Sequence, residues 1–134
     1  MPHRHQLKVR FYELDPYGHL NHSVFVQYFE TSRIELFEEA GVSLSVYADI
    51  GYHFVVTHIE TSFIRPVKAG DILTIETELL QLRPASLIWN QKMLRNVEIV
   101  AHQELRNAVT DLQGKPVKVP EDVTEKLLSF VALQ

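Results

Sequence analysis

The sequence predicts an α+β fold in which an antiparallel sheet of five to six strands wraps around one long helix. Three observations lead to this fold class. Apolar residues recur at helical spacing across residues 21–40. After Gly51 the apolar period changes to two, which is the period of β-strands. The strand-like segments that follow are bounded by Pro66 and Pro84 and by a tight turn at Asn96.

The first two predicted elements are a strand and the long helix. Residues 6–13 alternate loosely between apolar and polar, which predicts a short strand. The helix is expected to have about 19 residues, to begin at a cap among residues 21–23 and to end at Gly41. Residues 43–50 are predicted to add a short helical turn, with Ser43 or Ser45 as its cap.

Four strands and a short C-terminal helix are predicted after the long helix. The strands cover residues 52–65, 71–83, 86–95 and 98–110, and the helix begins at Pro120. In the first of these strands, apolar residues occupy both faces: Val55, Ile59 and Phe63 on one, and Phe54, Val56 and Ile64 on the other. This pattern predicts a strand that is covered on both sides, at least over its first half. A switch of apolar parity at Leu79-Leu80 predicts a β-bulge in the second.

One long helix cannot cover both faces of such a sheet, so the second face is expected either to be covered by another chain or to be unusually polar. Leu87, Trp89 and Met93 on the later strands favour a covered face, so a homo-oligomer is expected.

Composition narrows the class of protein. The chain has 134 residues, 46% of them hydrophobic, so residues 1–134 are expected to form a single domain with one core. The net charge of −4 gives no general attraction for nucleic acid or for an anionic membrane. The chain has no cysteine, which excludes disulfides, a thiol nucleophile and thiolate metal sites. Without a signal peptide or an apolar run of spanning length, we expect a soluble, cytoplasmic protein.

The stretch around Asp15 carries the most chemical information. Asp15-Pro16-Tyr17-Gly18 predicts a sharp turn, and the long helix begins only a few residues later. The start of a helix offers unpaired N–H groups and the positive end of the helix dipole. The stretch therefore combines a candidate base or nucleophile with a candidate oxyanion site.

Simpler interpretations compete with this one. On the local sequence alone, Asp15 is more readily interpreted as a turn or cap residue. Asn21 is interpreted equally well as a helix cap or as a group that orients Asp15 or a water molecule. Asp15, His19 and His22 have irregular spacing for a metal site, so no metal is expected and His19 is interpreted as a loop residue. Arg33 is expected to form an ion pair with Glu30, three residues before it on the helix.

The pattern D-P-x-G, followed on the helix by Y-F-E-x-x-R and then by long strands, resembles the hotdog-fold acyl thioesterases. It is most similar to the branch that contains 4-hydroxybenzoyl-CoA thioesterase and the short-chain acyl-CoA thioesterases of the Tol–Pal gene cluster. The resemblance extends from Val9 to about Val119 and is most specific over residues 9–33. It implies a hotdog fold and a thioester hydrolase, for which no cofactor is expected.

The resemblance also implies roles for individual residues. Asp15 matches the catalytic carboxylate of the family, acting as general base or as nucleophile. His22 matches the residue whose backbone N–H stabilises the oxyanion, and its side chain matches a histidine of the Tol–Pal-associated branch. Phe54, Val55 and Val56 match the strand segment that lines the acyl pocket. Asn21 is included as a substrate-binding candidate.

The carrier of the acyl group and the assembly are also expectations from the resemblance. Arg83 matches the start of a basic cluster that holds the nucleotide of coenzyme A, although the sequence continues here as Pro84-Ala85-Ser86. Both coenzyme A and acyl carrier protein therefore stay open as carriers. The family implies a homodimer or a homotetramer with sites at the dimer interface. The alternatives are a non-catalytic acyl-thioester-binding protein and a dehydratase, for which no matching His and acid arrangement is found.

Overall fold

Five antiparallel strands form one sheet, and a long helix packs against one of its faces in the computed structural model, which describes residues 1–133. The elements are β1 (His3–Lys8), α1 (His22–Ala40), α2 (Leu44–Asp49), β2 (His53–Phe63), β3 (Ile72–Leu82), β4 (Ser86–Arg95), β5 (Glu98–Thr110) and α3 (Glu121–Leu127). The strand order across the sheet is β1-β3-β4-β5-β2, so β1 and β2 are the edge strands. The predicted α+β fold class and the five-stranded sheet are confirmed.

Both ends of α1 are set by the residues that the sequence predicts. The side chain of Asn21 accepts a hydrogen bond from the backbone N–H of Ser23 at 3.0 Å and caps the start of the helix. Gly41 ends it with a φ of 79°, a conformation that costs glycine little. Phe25, Phe29 and Leu36 point into the core and are 4% exposed or less. The helix therefore presents one apolar face to the sheet, as its residue spacing predicts.

The core consists of two apolar clusters beneath α1. One surrounds Trp89 and Leu105 under the second half of the helix. The other surrounds Phe29 and Met93 under its first half. The prediction that Leu87, Trp89 and Met93 form a second covered face is wrong, because these residues face the core of their own chain. The opposite face of the sheet is mostly polar or charged, with residues such as Glu76, Lys92, Glu104 and Arg106.

A buried polar row separates the two clusters. Thr77, Gln91 and Gln103 lie opposite one another on β3, β4 and β5, and none of the three is exposed. From α1, Arg33 donates a hydrogen bond through Nη1 to Oε1 of Gln91 at 2.8 Å. Arg33 thus has a sheet residue as its hydrogen-bond partner, and the expected ion pair with Glu30 is not formed within 4.0 Å in residues 1–133.

The first strand lies earlier than predicted. β1 pairs with β3 from His3 to Lys8, whereas residues 11–13 form a 3₁₀ turn. The carboxylate of Glu13 accepts a hydrogen bond from the backbone N–H of Arg10 at 2.8 Å, which closes this turn. The loose alternation across residues 6–13 therefore spans the end of a strand and the turn that follows it.

The edge strand β2 has one apolar face. A β-bulge between Val56 and His58 shifts the register, so Val56, Ile59 and Phe63 share the face directed towards α1. His58 and Glu60 lie on the other face and are exposed. The prediction that the first half of this strand is covered on both sides is wrong within the chain, because Val55, on the face of His58 and Glu60, is 43% exposed. The bulge places Val56 instead of Val55 on the same face as Ile59 and Phe63.

The other elements agree with the sequence. A register shift between Leu79 and Gln81 is the predicted bulge of β3. Ser43 caps α2, and Asn96 adopts a φ of 57° in the tight turn between β4 and β5. Within residues 1–133, no helix has both the length and the apolar character needed to cross a bilayer.

Candidate active site

Asp15 begins a tight loop that connects the end of the 3₁₀ turn to α1. The backbone N–H of Gly18 donates to the carbonyl oxygen of Asp15 at 3.1 Å, and Gly18 has a φ of 80°. The backbone N–H of Asp15 donates to the carbonyl of His19 at 2.6 Å. The loop is therefore closed by its own backbone hydrogen bonds, as the Asp-Pro-Tyr-Gly sequence predicts.

The side chain of Asp15 is held by the same loop. Its Oδ1 atom accepts hydrogen bonds from the backbone N–H groups of Tyr17 at 2.9 Å and His19 at 3.1 Å. Its Oδ2 atom has no hydrogen-bond partner among residues 1–133. One carboxylate oxygen is thus fixed while the other stays free to contact a ligand. The carboxylate is hydrogen-bonded to loop amides rather than to the amides at the start of α1.

The local geometry of Asp15 recurs elsewhere in the chain. Asp111 accepts hydrogen bonds through Oδ1 from the backbone N–H groups of Gln113 and Lys115, both at 2.9 Å. Gly114 donates to its carbonyl as Gly18 does to that of Asp15. This arrangement is therefore a general turn motif, and only the surroundings of Asp15 distinguish it from Asp111.

The start of α1 leaves one backbone N–H without an acceptor. The side chain of Asn21 accepts from the N–H of Ser23, and its carbonyl accepts from the N–H of Val24 at 2.9 Å. The N–H of His22 has no acceptor within residues 1–133. Because it lies at the positive end of a 19-residue helix, this group can stabilise a negative charge.

Asp15 and His22 line the same cleft, which has a volume of about 280 Å³. Its full lining is Asp15, His19, Leu20, His22, Phe25, Phe63, Ile64, Arg65 and Pro66. The ring of Phe63 packs edge-on against the rings of His22 and Phe25. Its centroid lies 6.4 Å from that of His22 and 5.3 Å from that of Phe25. The cleft is thus lined by a carboxylate residue, by the first residue of α1, whose N–H has no acceptor within residues 1–133, and by an apolar wall.

Seven of these nine lining residues were not selected from the sequence as site residues. Phe63 and Ile64 lie at the end of β2, about 40 residues further along the chain than the helix start. Arg65 lines the cleft and forms an ion pair with Glu98 at 3.6 Å. His19 was interpreted as a loop residue, and it is one that also borders the cleft. The four-residue spacing between Asp15 and His19 was the feature of the sequence that could have identified His19 as a cleft residue.

Asn21 serves as the helix cap. Its Oδ1 atom also accepts from the hydroxyl of Ser23 at 2.9 Å, and Asn21 is not among the cleft residues. The capping interpretation is confirmed, whereas a contact between Asn21 and substrate stays a prediction.

The segment predicted to line the acyl pocket lies at the far end of β2. Phe54 packs against Phe37 with ring centroids 5.6 Å apart, and Phe54 and Val55 border a cavity of about 430 Å³. Val56 is 44% exposed. Nine residues separate Phe54 from Phe63, which corresponds to about 30 Å along an extended strand. Within one chain, the structure does not bring residues 54–56 to Asp15.

Arg83 is also remote from Asp15. It lies in the turn between β3 and β4, where it borders a shallow cavity together with Lys118. Its Nε atom donates to Oε1 of Gln81 at 2.8 Å. This turn is near the start of β2 in the sheet, because Ser86 and Val55 both pair with Ala108.

Asp15, His19 and His22, which carry side chains of metal-binding type near the start of α1, all line the cleft. Within residues 1–133, no three His, Asp or Glu side chains are grouped closely enough to hold a metal ion together.

The fold and the cleft together define a class of protein. The sequence profile described as the Thioesterase-like superfamily matches residues 9–127, and the chain belongs to this superfamily. The prediction of a thioester hydrolase is thereby confirmed at the level of the family.

Individual relatives are distant in sequence but similar over almost the full chain. The long-chain acyl-CoA thioesterase FadM of Escherichia coli is 31% identical over 129 residues, which cover 94% of this chain and 97% of FadM. The acyl-acyl carrier protein thioesterase ATL3 of Arabidopsis thaliana is 24% identical, over 96% of this chain and 69% of ATL3. The crystal structure of YbaW, a probable thioesterase from Escherichia coli, has a TM-score of 0.81 and 28% identity, and covers 96% of this chain and 98% of that one.

Proposed function

We propose that this protein hydrolyses the thioester bond of acyl groups carried by coenzyme A or acyl carrier protein. The observation that carries the proposal is the cleft that Asp15 and His22 both line, since the N–H of His22 has no acceptor within residues 1–133. Thioester hydrolysis requires a group that attacks or activates water and a donor for the oxyanion. Both are present in one cleft beside an apolar wall.

The proposed reaction follows from this arrangement. The thioester carbonyl oxygen points towards the N–H of His22, which stabilises the negative charge as the carbonyl carbon becomes tetrahedral. The free Oδ2 atom of Asp15 either takes a proton from the attacking water or attacks the carbonyl carbon itself. In the second case, water hydrolyses the resulting mixed anhydride. In both cases the C–S bond breaks as the carbonyl re-forms, which in the second case precedes hydrolysis of the anhydride. The thiolate takes a proton from solvent, and a proton accepted by Asp15 returns to solvent.

Membership of the superfamily supports the thioester as the reacting bond, and the relatives leave the carrier open. FadM is named for acyl-CoA and ATL3 for acyl-acyl carrier protein. The finer assignment to the 4-hydroxybenzoyl-CoA and Tol–Pal-associated branch stays a prediction, as does the cytoplasmic location.

A homodimer, alone or as half of a homotetramer, explains where the acyl-pocket segment lies. The outer edge of β2 has no strand beside it within residues 1–133, and Val56, Ile59 and Phe63 are each more than 40% exposed. Such an apolar edge is a template for another strand. Antiparallel pairing of two β2 edges about a two-fold axis would bring residues 54–56 of a second copy towards Phe63 of the first. Each cleft would then gain an acyl pocket from the other chain.

The test measures free thiol release from a panel of short-, medium- and long-chain acyl-CoA and acyl-carrier-protein thioesters. Asp15→Asn keeps the Oδ1 acceptor for Tyr17 and His19 but removes the anionic oxygen. We expect kcat/KM to fall at least about 100-fold with an unchanged fold. Asp111→Asn is the matched control, because it makes the same change in the same turn motif away from the cleft.

Two results would contradict the proposal. An equal loss of kcat/KM in Asp15→Asn and Asp111→Asn would mean that Asp15 has only a structural role. Tight binding of the thioesters without turnover in the wild-type protein would instead support the non-catalytic alternative.

A further inference from the structure

A buried tyrosine connects α1 to the residues just before Asp15. Tyr28 lies on the inner side of α1 and is 4% exposed. Its hydroxyl donates a hydrogen bond to Oε1 of Glu13, two residues before Asp15. The proposed reaction uses neither Tyr28 nor Glu13, and neither residue lines the cleft.

Glu13 joins three parts of the structure that surround the cleft. Its Oε1 atom also accepts from the backbone N–H of Arg10 at 2.8 Å, where the 3₁₀ turn begins. Its carbonyl oxygen accepts from the backbone N–H of Asn21 at 3.0 Å, where the loop ends. Asn21 caps α1 and directly precedes His22. Glu13 therefore touches both ends of the Asp15 loop as well as the interior of the helix.

The Tyr28 contact is distinct from the other bonds of the loop. The hydrogen bonds of Asp15 with Tyr17, Gly18 and His19 shape the loop internally. The backbone bond from Leu20 to Val67, at 2.6 Å, attaches the loop to the segment before β3. Among the side chains of residues 1–133, Tyr28 makes the hydrogen bond that ties the start of the loop to the helix.

From this arrangement we infer that Tyr28 and Glu13 are positioning residues that fix the Asp15 carboxylate relative to the N–H of His22. The inference rests on the proposed function, since it assigns a purpose to the distance between those two groups. Catalysis by positioned groups is sensitive to small displacements, and a misplacement of about 1 Å can reduce the rate about 100-fold. Without the Tyr28 hydroxyl, the Glu13 side chain can turn to solvent and the loop can shift on the helix.

The hydroxyl of Tyr28 remains protonated, and so remains a hydrogen-bond donor, at every pH used in the assay. Burial, and then the hydrogen bond to Glu13, raise the pKa of Tyr28 well above its ordinary value. Loss of the hydroxyl should therefore lower kcat by the same factor across the pH range, without moving the pH at which activity begins to fall.

The chain contains a matched control for this contact. Tyr47 on α2 is 7% exposed, and its hydroxyl donates to a carboxylate oxygen of Asp122 at the start of α3. This hydrogen bond, and then burial, raise the pKa of Tyr47 to about 12. Tyr47→Phe thus removes a buried hydroxyl–carboxylate bond that has no connection to the Asp15 loop.

The experiment compares Tyr28→Phe with Tyr47→Phe in the full-length protein, using the best thioester found in the panel. We expect both to lower the urea midpoint of unfolding. Tyr28→Phe should lower kcat about 10- to 100-fold with KM changed less than about threefold, whereas Tyr47→Phe should keep kcat within about twofold. Equal values of kcat in the two variants would overturn the inference.

Two variants of Glu13 distinguish a positioning role of this residue from a direct chemical role of its charge. The Oε1 atom of Glu13 accepts from both the Tyr28 hydroxyl and the backbone N–H of Arg10, so the carbonyl oxygen of glutamine can accept both bonds. Glu13→Gln should therefore retain kcat within about threefold, while Glu13→Ala should lose as much as Tyr28→Phe. If Glu13→Gln is as inactive as Glu13→Ala, the negative charge itself is needed and the inference fails. If Glu13→Ala does not fold, the glutamine variant and the tyrosine pair decide.

Asp15→Asn distinguishes failure of this inference from failure of the proposed function. An inactive Asp15→Asn variant beside a fully active Tyr28→Phe variant would reject the positioning role alone. An active Asp15→Asn variant would remove the site on which both proposals rest.

Discussion

Arg33 is a buried cation whose hydrogen-bond partner is a neutral side chain. Burial lowers the pKa of Arg33 to about 10, although Glu30 nearby acts in the opposite direction. Gln91 accepts from Arg33 and donates through Nε2 to the carbonyl of Phe29 at 2.8 Å and to the hydroxyl of Thr77 at 3.0 Å. Gln91 therefore satisfies groups on both α1 and β3.

Replacing Gln91 should lower the free energy of unfolding, because the buried charge of Arg33 would lose its hydrogen-bond partner. Gln91→Leu leaves the guanidinium of Arg33 unpaired, and we expect the free energy of unfolding to fall by about 2–4 kcal/mol. Adding Arg33→Met removes the charge that was left unpaired, so the double variant should be more stable than Gln91→Leu alone. Urea unfolding of the wild type, both single variants and the double variant measures this coupling. Strictly additive losses would show that Arg33 and Gln91 act independently.

Which residues could be predicted depends on how far along the chain their partners lie. The Asp15 turn, the Asn21 cap and the free N–H of His22 follow from residues within four positions, so local chemistry sufficed. The partner of Arg33 is 58 residues away and that of Tyr28 is 15 residues away. Sequence spacing on a helix pointed instead to Glu30, since only folding brings Gln91 beneath Arg33.

Among the secondary-structure elements, β1 was the least predictable. Its sequence is mostly polar because it is an edge strand, and its pairing with β3 comes from backbone hydrogen bonds that leave no apolar pattern. The long helix and the three strands β3, β4 and β5 have buried faces, and their periodicity predicted them almost to the residue. The bulge in β2 was missed because nothing in the apolar pattern near Thr57 marks the extra residue.

His3 should make the stability of β1 depend on pH. His3 is buried on this strand and contacts Glu39 of α1 at 3.2 Å, and its ring lies 6.0 Å from that of Phe130. Burial lowers the pKa of His3 below its ordinary value of 6.5, although Glu39 and Glu35 oppose this effect and His5 adds to it. The folded state then binds fewer protons than the unfolded state just below pH 6.5. Stability should therefore fall as the pH drops from about 6.5 through the pKa of the folded protein.

Urea unfolding at a series of pH values between 5 and 8 tests this expectation. His3→Gln should flatten the decrease on the acid side, because glutamine does not titrate. His102→Gln, at an exposed position on the polar face of the sheet, is the control and should keep the wild-type decrease. An unchanged pH dependence in His3→Gln would assign the effect to other groups.

At the scale of the whole molecule, the distance between the predicted site residues is itself informative. The cleft lies at the end of β2, whereas residues 54–56 and the turn that contains Arg83 lie near its start. A sequence cannot show this separation, because a family pattern aligns residues without saying which chain supplies them. If the site is shared between two copies, Asp15 and His22 of one chain and residues 54–56 of the other can contribute to one pocket without any movement within a chain.

Subunit mixing tests the shared site directly. Asp15→Asn removes the proposed catalytic carboxylate, and Val56→Asp places a charge on the face of β2 that also carries Phe63, within the proposed acyl-pocket segment, so each variant alone should be inactive. A mixed dimer contains one site with both changes and one with neither, and random pairing of equal amounts should restore about a quarter of the wild-type activity.

Two further variants are controls for this experiment. Ile59→Lys in both copies should prevent restoration by disrupting the β2 edge. Val97→Lys, at a position that is 94% exposed in the turn between β4 and β5, should not. A mixture as inactive as its two parents, with light scattering showing dimers, would mean that each chain holds a complete site.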